Sequence, residues 1–378
     1  MELIMNTALD AVQKSGIRLF TQMARQKPGC LFLTLGEPDF DTPLPVCAAA
    51  KAGLDAGETH YGENNGQAFL RRAISDFERE KHGLSYAPEE IIVTVGATEA
   101  LFCALFGLLN PGDEVIVPTP AFGLYESIIQ LCRGVCVPLD TRESAFQITA
   151  AQLRSALSPR TKAIILTSPN NPTGCIYTRE TLEILHEALK DLPVFVICDE
   201  VYRDLIYTDD FSSFTQYSDL RDRIIVVQSF SKPYAMTGWR VGYLMADAPV
   251  KTQLEKVHQY AVVSVNTFIQ RACAEALNHD IRPELAVYRR RRDYICQRLD
   301  QMGLPYFKPQ GAFYVFPSIA RFALDSFTFC TRMVQEAGLA CTPGSCFGAE
   351  GYIRISYCYS DDILQEGMNR LERFLQTF

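Results

Sequence analysis

Lys232 stands in the segment Ser229-Phe230-Ser231-Lys232-Pro233-Tyr234-Ala235-Met236-Thr237-Gly238-Trp239-Arg240, directly after the apolar run Ile224 to Val227. Lysine is ordinarily a solvated surface residue and is rarely buried without a partner. At the end of a buried strand, close to a second cation, its pKa falls. The neutral amine is then a nucleophile toward carbonyl carbon. The neighbouring Ser229 and Ser231 hydroxyls and the Arg240 guanidinium supply what an anionic group needs, since an arginine fork binds phosphate bidentately.

A second phosphate element lies far away in the chain. Gly96-Ala97-Thr98 joins a strand-like run to a helix, so its backbone N–H groups face outward at the positive end of the helix. Thr98 adds a hydroxyl. Such a junction could equally be a tight turn, and Arg240 could serve an interdomain ion pair. Asp199 follows a five-residue apolar run and should be buried, which demands a cationic partner; a helix N-cap is the competing role. Asn171 and Tyr202 could donate hydrogen bonds to a ring oxygen, and Phe122 could stack on a ring face or simply pack in the core. Arg354, between Ile353 and Ile355, suits bidentate capture of an α-carboxylate, against the alternative of a cross-strand ion pair. An amine that forms a Schiff base, a phosphate cradle and a carboxylate facing a protonated ring nitrogen together meet the requirements of pyridoxal phosphate.

The elements that position these residues can be read from periodicity. Apolar runs at Ile91 to Val95, Glu114 to Val117, Lys162 to Leu166, Val194 to Cys198, Ile224 to Gln228 and Arg240 to Met245 alternate with amphipathic stretches, the first running from Thr98 to Leu109. This alternation predicts an α/β fold with a mostly parallel central sheet flanked by helices. Ligands bind outside the carboxyl ends of strands in such sheets. Thr98, Asn171, Asp199, Tyr202, Ser229 and Lys232 all fall at those ends. After about residue 275 the character changes. Helical stretches at Pro283 to Met302 and Asp325 to Ala337 surround two β-rich runs, Gly311 to Pro317 and Tyr352 to Tyr357. We therefore expect a large domain over 46–274 and a smaller α+β domain from 1–45 and 275–378.

Bulk properties exclude several classes. The chain has 378 residues and a net charge of -8, so it lacks the basic footprint of a nucleic-acid or anionic-membrane binder. Its one basic cluster, Arg289 to Arg292, is expected to be a solvated helix face. The 13 cysteines contain no Cys-x-x-Cys pair, which argues against a disulfide framework and for a reducing compartment. The five histidines show no metal-ligand spacing, so no metal is expected. Met1 to Met5 lacks the basic and apolar regions of a secretory leader, and no run is long enough for a membrane span. A cytoplasmic protein is expected.

Taken in order, the motifs resemble the class I/II aminotransferases of the fold-type-I pyridoxal-phosphate enzymes. Gly36-Glu37-Pro38-Asp39-Phe40-Asp41-Thr42-Pro43 is similar to that family's N-terminal loop, and Ser168 to Gly174 to its Asn-Pro-Thr-Gly loop. Asp199-Glu200-Val201-Tyr202, Ser229 to Lys232 with Gly238-Trp239-Arg240, and Ile353 to Ser356 are similar to its ring, Schiff-base and carboxylate segments. The likeness runs from about Arg18 to the C-terminus. It implies a homodimer with shared active sites, in which Tyr61 reaches the cofactor phosphate of the other subunit. It also implies substrate contacts from Asn171 and from the backbone near Gly36.

The activity so implied is transfer of an amino group from an L-amino acid to a 2-oxo acid, 2-oxoglutarate being the expected acceptor. The mechanism is ping-pong, with Lys232 as Schiff-base residue and proton carrier, and Asp199 and Tyr202 acting on the ring. A carbon–sulfur β-lyase on the same fold would use the same residues. A non-catalytic pyridoxal-phosphate sensor would need a DNA-binding domain, for which the resemblance leaves no room. Some aspartate-using relatives carry a lysine where this chain has Thr98. Phe20, Phe122, Tyr125 and Phe347 could instead line an apolar side-chain pocket.

Overall fold

A computed structural model describes residues 5–378; the start of the N-terminal stretch discussed above, residues 1–4, lies outside the described residues. The twelve strands are β1 (Leu31–Phe32), β2 (Ile91–Thr94), β3 (Glu114–Thr119), β4 (Val135–Asp140), β5 (Thr161–Thr167), β6 (Phe195–Asp199), β7 (Ile224–Ser229), β8 (Gly242–Ala246), β9 (Tyr314–Val315), β10 (Leu339–Ala340), β11 (Thr342–Pro343) and β12 (Ile353–Ser356). Seven of them form one sheet in the order β2-β8-β7-β6-β5-β3-β4. Only β8 runs antiparallel to its neighbours. β2, β7 and β8 are buried along their whole length. Strands covered on both faces by helices read as unbroken apolar runs, which is why periodicity located them.

Strand β4 was not expected. It pairs with β3 at the sheet edge, carries Pro138, and only Leu139 of its six residues is buried. An edge strand tolerates a proline and needs no continuous apolar run, so its sequence gives a weak signal. The run assigned to Gly311–Pro317 shortens to the two residues of β9, although its side chains are buried throughout that stretch.

Register decides what meets at the sheet end. β5, β6 and β7 are adjacent and parallel, with Thr167 opposite Asp199 and Asp199 opposite Val227. Their carboxyl ends therefore discharge 168–174, 200–202 and 230–232 side by side, at the spacing of neighbouring strands, about 4.8 Å. The helix Gly96–Leu108 opens on Gly96 at φ +75°, and its N-cap Val95 makes no side-chain cap. Glu99 Oε2 instead accepts the Val95 N–H at 2.6 Å.

The C-terminal third holds a second core. β12 is central between β11 and β9, and β1 pairs in parallel with β10. Phe20, Leu33, Tyr288, Phe313, Phe329 and Leu371 pack there together with Tyr202, Leu205 and Tyr207, which follow β6. The Ala312 N–H donates to the Leu205 carbonyl at 2.8 Å. The loop after Asp199, at the end of β6, is thus shared between the two cores.

The basic cluster departs from expectation. Arg289 and Arg290 are exposed on the helix Arg282–Gln301, but Arg291 and Arg292 are buried. Arg291 donates to both Asp39 carboxylate oxygens at 2.7 and 2.8 Å, and Arg292 lies over the Tyr207 ring, 4.7 Å from its centroid. Helical spacing points these two inward, where ion pairing and aromatic contact compensate their burial. No helix among the described residues is long and apolar enough to cross a membrane.

Candidate active site

A cavity of 520 Å³ opens at the carboxyl end of the seven-stranded sheet. It is walled by Lys232, Asp199, Tyr202, Asn171, Phe122, Ala97, Thr98, Ser229, Ser231, Arg240, Gly36 and Arg354, residues separated by as many as 318 positions in the chain. Gly96 lies beneath it: a Cβ there would stand 2.8 Å from Arg240 Nη2. Tyr61 is 90% exposed and does not line this cavity. Phe20 and Phe347 are core residues outside the wall, whereas Tyr125 lines it.

Lys232 reaches in from the turn after β7. Its Nζ donates to the Gly36 carbonyl at 2.7 Å and forms no ion pair among the described residues. Burial, with Arg354 and Arg240 adding to it, lowers its pKa to about 8, against opposing effects of Cys358 and Glu37. A substantial fraction of the amine is therefore neutral near pH 8.

Asp199 ends β6 and is 4% exposed. The expectation of a cationic protein partner does not hold. Tyr125 donates to its Oδ2 at 2.7 Å, and the Val201 N–H reaches Oδ1 at 3.3 Å. Burial raises the carboxyl to about 6, the two hydrogen bonds pulling the other way. Thr167 donates to the Tyr125 oxygen at 2.8 Å, which orients the phenol toward Asp199. Sequence reading missed this role for Tyr125 and counted it only as an apolar wall. The register of β5 beside β6 sets Thr167 next to Asp199, and Tyr125 reaches both from the helix Leu124–Leu131.

Arg354 is 2% exposed and sits between the rings of Tyr314 and Phe347, 4.4 and 4.8 Å from their centroids. Nη1 donates to Asn171 Oδ1 at 2.8 Å and Nη2 to the Thr34 carbonyl at 2.5 Å. Its Nε has no protein partner. No carboxylate neutralises it, so the cross-strand ion pair considered above is absent among the described residues. The Asn171 contact leaves that residue's Nδ2 free to donate. Tyr202 shares a hydrogen bond of 2.8 Å with Tyr314, another residue that sequence reading did not single out. Gly36 is required next to Tyr314, because a Cβ would fall 1.7 Å from the phenol oxygen.

On the phosphate side, Ser229 Oγ accepts the Ser231 N–H at 3.0 Å, which closes the turn before Lys232. Arg240 is exposed, has φ +56°, and donates only to the Thr237 carbonyl, at 2.9 Å. The interdomain ion pair considered for it is likewise absent among the described residues. Spacing also failed to connect Glu99, Cys103 and His258. Their ligand-type atoms lie within 4.8 Å of one another, and His258 bridges Glu99 Oε1 and the Asn64 carbonyl, each at 2.7 Å.

The arrangement is a cavity rich in cations, holding a depressed lysine, an unpaired buried carboxylate and an unpaired buried arginine. Comparison with known proteins agrees with this chemistry. The family model described as aminotransferase class I and II matches residues 28–371. The probable N-acetyl-LL-diaminopimelate aminotransferase of Bacillus subtilis is 41% identical, over 99% of this chain and 96% of its own. The aspartate aminotransferase of Pyrococcus abyssi is 40% identical, over 98% of each. The crystal structure of aspartate aminotransferase from Thermotoga maritima superposes with a TM-score of 0.95 at 36% identity, covering 98% of this chain and 100% of that one. A chain that matches so nearly end to end, with its reactive groups gathered at one sheet end, belongs to the class I and II aminotransferases.

Proposed function

We propose that this aminotransferase uses pyridoxal phosphate bound to Lys232 to move an amino group from an L-amino acid to 2-oxoglutarate by a ping-pong cycle. The observation that carries the reading is the meeting of Lys232, Asp199 and Arg354 in one cavity, each buried or part-buried and none paired with an opposite charge. Buried charges are otherwise paired, so each of the three needs a ligand partner.

The donor set fits the cofactor. The first-turn amides of Gly96, Ala97 and Thr98, with Ser229, Ser231 and Arg240, would take its phosphate. Asp199 would take the ring N–H, Asn171 and Tyr202 the ring oxygen, and Phe122 a ring face. Tyr61 of the partner subunit would complete the phosphate site in a homodimer. When bound, pyridoxal phosphate supplies an aldehyde for the lysine and a protonated ring that withdraws electrons from the substrate.

The chain's own residues then have distinct tasks. Arg354 holds the α-carboxylate with its remaining N–H groups, while Asn171 keeps the guanidinium in plane. Lys232 Nζ, partly neutral near pH 8, takes the proton from the substrate Cα and passes it on. Asp199, held ionised by Tyr125, keeps the facing ring nitrogen protonated. Gly36 offers its carbonyl to Lys232 and, lacking a Cβ, leaves room for Tyr314. We further infer that 46–274 and the two flanking segments act as the large and small domains of a cytoplasmic enzyme.

The test follows the visible absorption of the purified protein with pyridoxal phosphate as single amino acids are added without an oxo acid. Loss of the cofactor band with one equivalent of oxo acid and no ammonia supports the reading. Continuous pyruvate and ammonia release would identify a β-lyase instead. The Lys232→Ala variant should lose turnover completely; near-normal turnover would refute the assignment.

A further inference from the structure

Glu99 stands in the first turn of the helix Gly96–Leu108, just behind the phosphate side of the cavity: Ala97 and Thr98 line the cavity and Glu99 does not. An anion in that turn works against a bound phosphate, because it takes up the positive end of the helix and repels a second negative group placed there. The cycle described above gives Glu99 no task, yet its carboxylate is held at three points. Oε2 accepts the Val95 N–H at 2.6 Å. Oε1 accepts the Cys103 thiol at 3.2 Å and meets His258 Nδ1 at 2.7 Å.

His258 is fully buried on the helix Ala248–Ala261. Its Nε2 lies 2.7 Å from the Asn64 carbonyl, which can only accept, so Nε2 is a donor. Glu99 already accepts twice and takes the Nδ1 hydrogen as its third. His258 therefore donates from both nitrogens and answers the Glu99 charge. The same ring fastens the segment that carries the exposed Tyr61. Within it the Asn65 carbonyl accepts the Val93 N–H at 3.0 Å, and the Asn65 side chain donates to Glu255 at 2.8 Å. Gly66 packs on β2, where a Cβ would stand 2.4 Å from Val93 Cγ2. At the other end the Thr267 hydroxyl donates to the Glu58 carbonyl at 2.6 Å. Tyr61 thus projects from a segment anchored on both sides, and His258 touches both that segment and the phosphate-side helix.

We propose that His258 is a positioning residue for the cofactor phosphate: it offsets the Glu99 charge behind Gly96, Ala97 and Thr98, and it ties their turn to the segment that presents Tyr61. The proposal rests on the functional reading above and adds the support on which its phosphate site depends.

The experiment measures the dissociation constants of pyridoxal phosphate, of pyridoxal, which lacks the phosphate, and of inorganic phosphate, with the cofactor-free full chain and its variants. His258→Leu removes a hydrogen bond to a charged group, so it should weaken pyridoxal phosphate and inorganic phosphate by about tenfold to hundredfold and leave pyridoxal within about twofold. His258→Gln keeps a donor and should lose only about three- to tenfold, again for the phosphate-bearing ligands alone; it carries the test if His258→Leu does not fold. Glu99→Gln removes the charge that His258 offsets, so the double variant Glu99→Gln/His258→Leu should lose less than the product of the two single losses. Equal weakening of pyridoxal and pyridoxal phosphate in the His258 variants would mark a general structural role and overturn the proposal, as would strictly multiplicative losses in the double variant. Failure of the wild type to bind pyridoxal phosphate would overturn the functional reading instead, and inorganic phosphate would still report on His258.

Discussion

Asp199 ends a buried strand with no cation beside it, and burial lifts its carboxyl from 3.8 to about 6. The unfolded chain releases that proton near the ordinary value, whereas the folded chain holds it until about pH 6. Stability from this group therefore falls as pH rises between the two values and stays low above pH 6. At 1.36 kcal/mol for each unit, the penalty in the cofactor-free protein is about 3 kcal/mol at neutral pH. Asparagine has the same shape and no charge to bury, and the Tyr125 hydroxyl can turn to accept from it. Cofactor-free Asp199→Asn should thus be more stable than wild type by about 2 to 3 kcal/mol at pH 8, with the difference shrinking at pH 5 and gone below about pH 4. Urea unfolding of both proteins at these pH values measures it. With pyridoxal phosphate added the order should reverse, because the variant lacks the anion that the ring N–H pairs with. A wild type that is equal or superior to the variant at pH 8 without cofactor would refute the claim that Asp199 is held at a cost that the ligand offsets.

Two further substitutions probe the supports of the site. Tyr125→Phe removes the donor to Asp199 Oδ2, a hydrogen bond to a charged group worth about 1.5 to 3 kcal/mol. The pH at which cofactor affinity falls on acidification should then rise from about 6 by roughly 1 to 2 pH units, measured by titrating the cofactor-free protein at a series of pH values. Gly36→Ala drives a methyl into the Tyr314 oxygen and breaks its bond to Tyr202, so urea unfolding should show a loss of about 1 to 3 kcal/mol. Its KM for the amino donor should rise as well, because Tyr314 also stacks on Arg354.

The extent to which the site was legible varies with where each residue lies. Lys232, Asp199, Asn171 and Thr98 stood out because each follows an apolar run, and polar side chains at strand ends have few structural reasons to be there. Arg354 stood out as a charge between two isoleucines. Tyr314 did not, and Tyr125 was read only as a candidate wall of an apolar pocket. Each sits in an ordinary helix or strand pattern, and aromatic residues in such patterns are usually core. Their importance arises from side chains that approach from other parts of the chain.

The amino-acid sequence by itself determined the alternation of buried strands and amphipathic helices, the order of the polar motifs at the strand ends and the strand-to-helix junction at Gly96. These are local properties, set by periodicity and by the chemistry of a few adjacent residues. Tertiary structure alone decided that Asp199 would be answered by a phenol rather than a cation, because the register of β5 beside β6 sets Thr167 next to it and the packing of the helix Leu124–Leu131 brings Tyr125 to both. It likewise decided which arginines of Arg289 to Arg292 turn inward, how an edge strand with a proline is recruited by β3, and that Thr34 joins the helix Gly16–Ala24 to Arg354. Such contacts link positions as many as 320 residues apart, where no local pattern carries information about the partner.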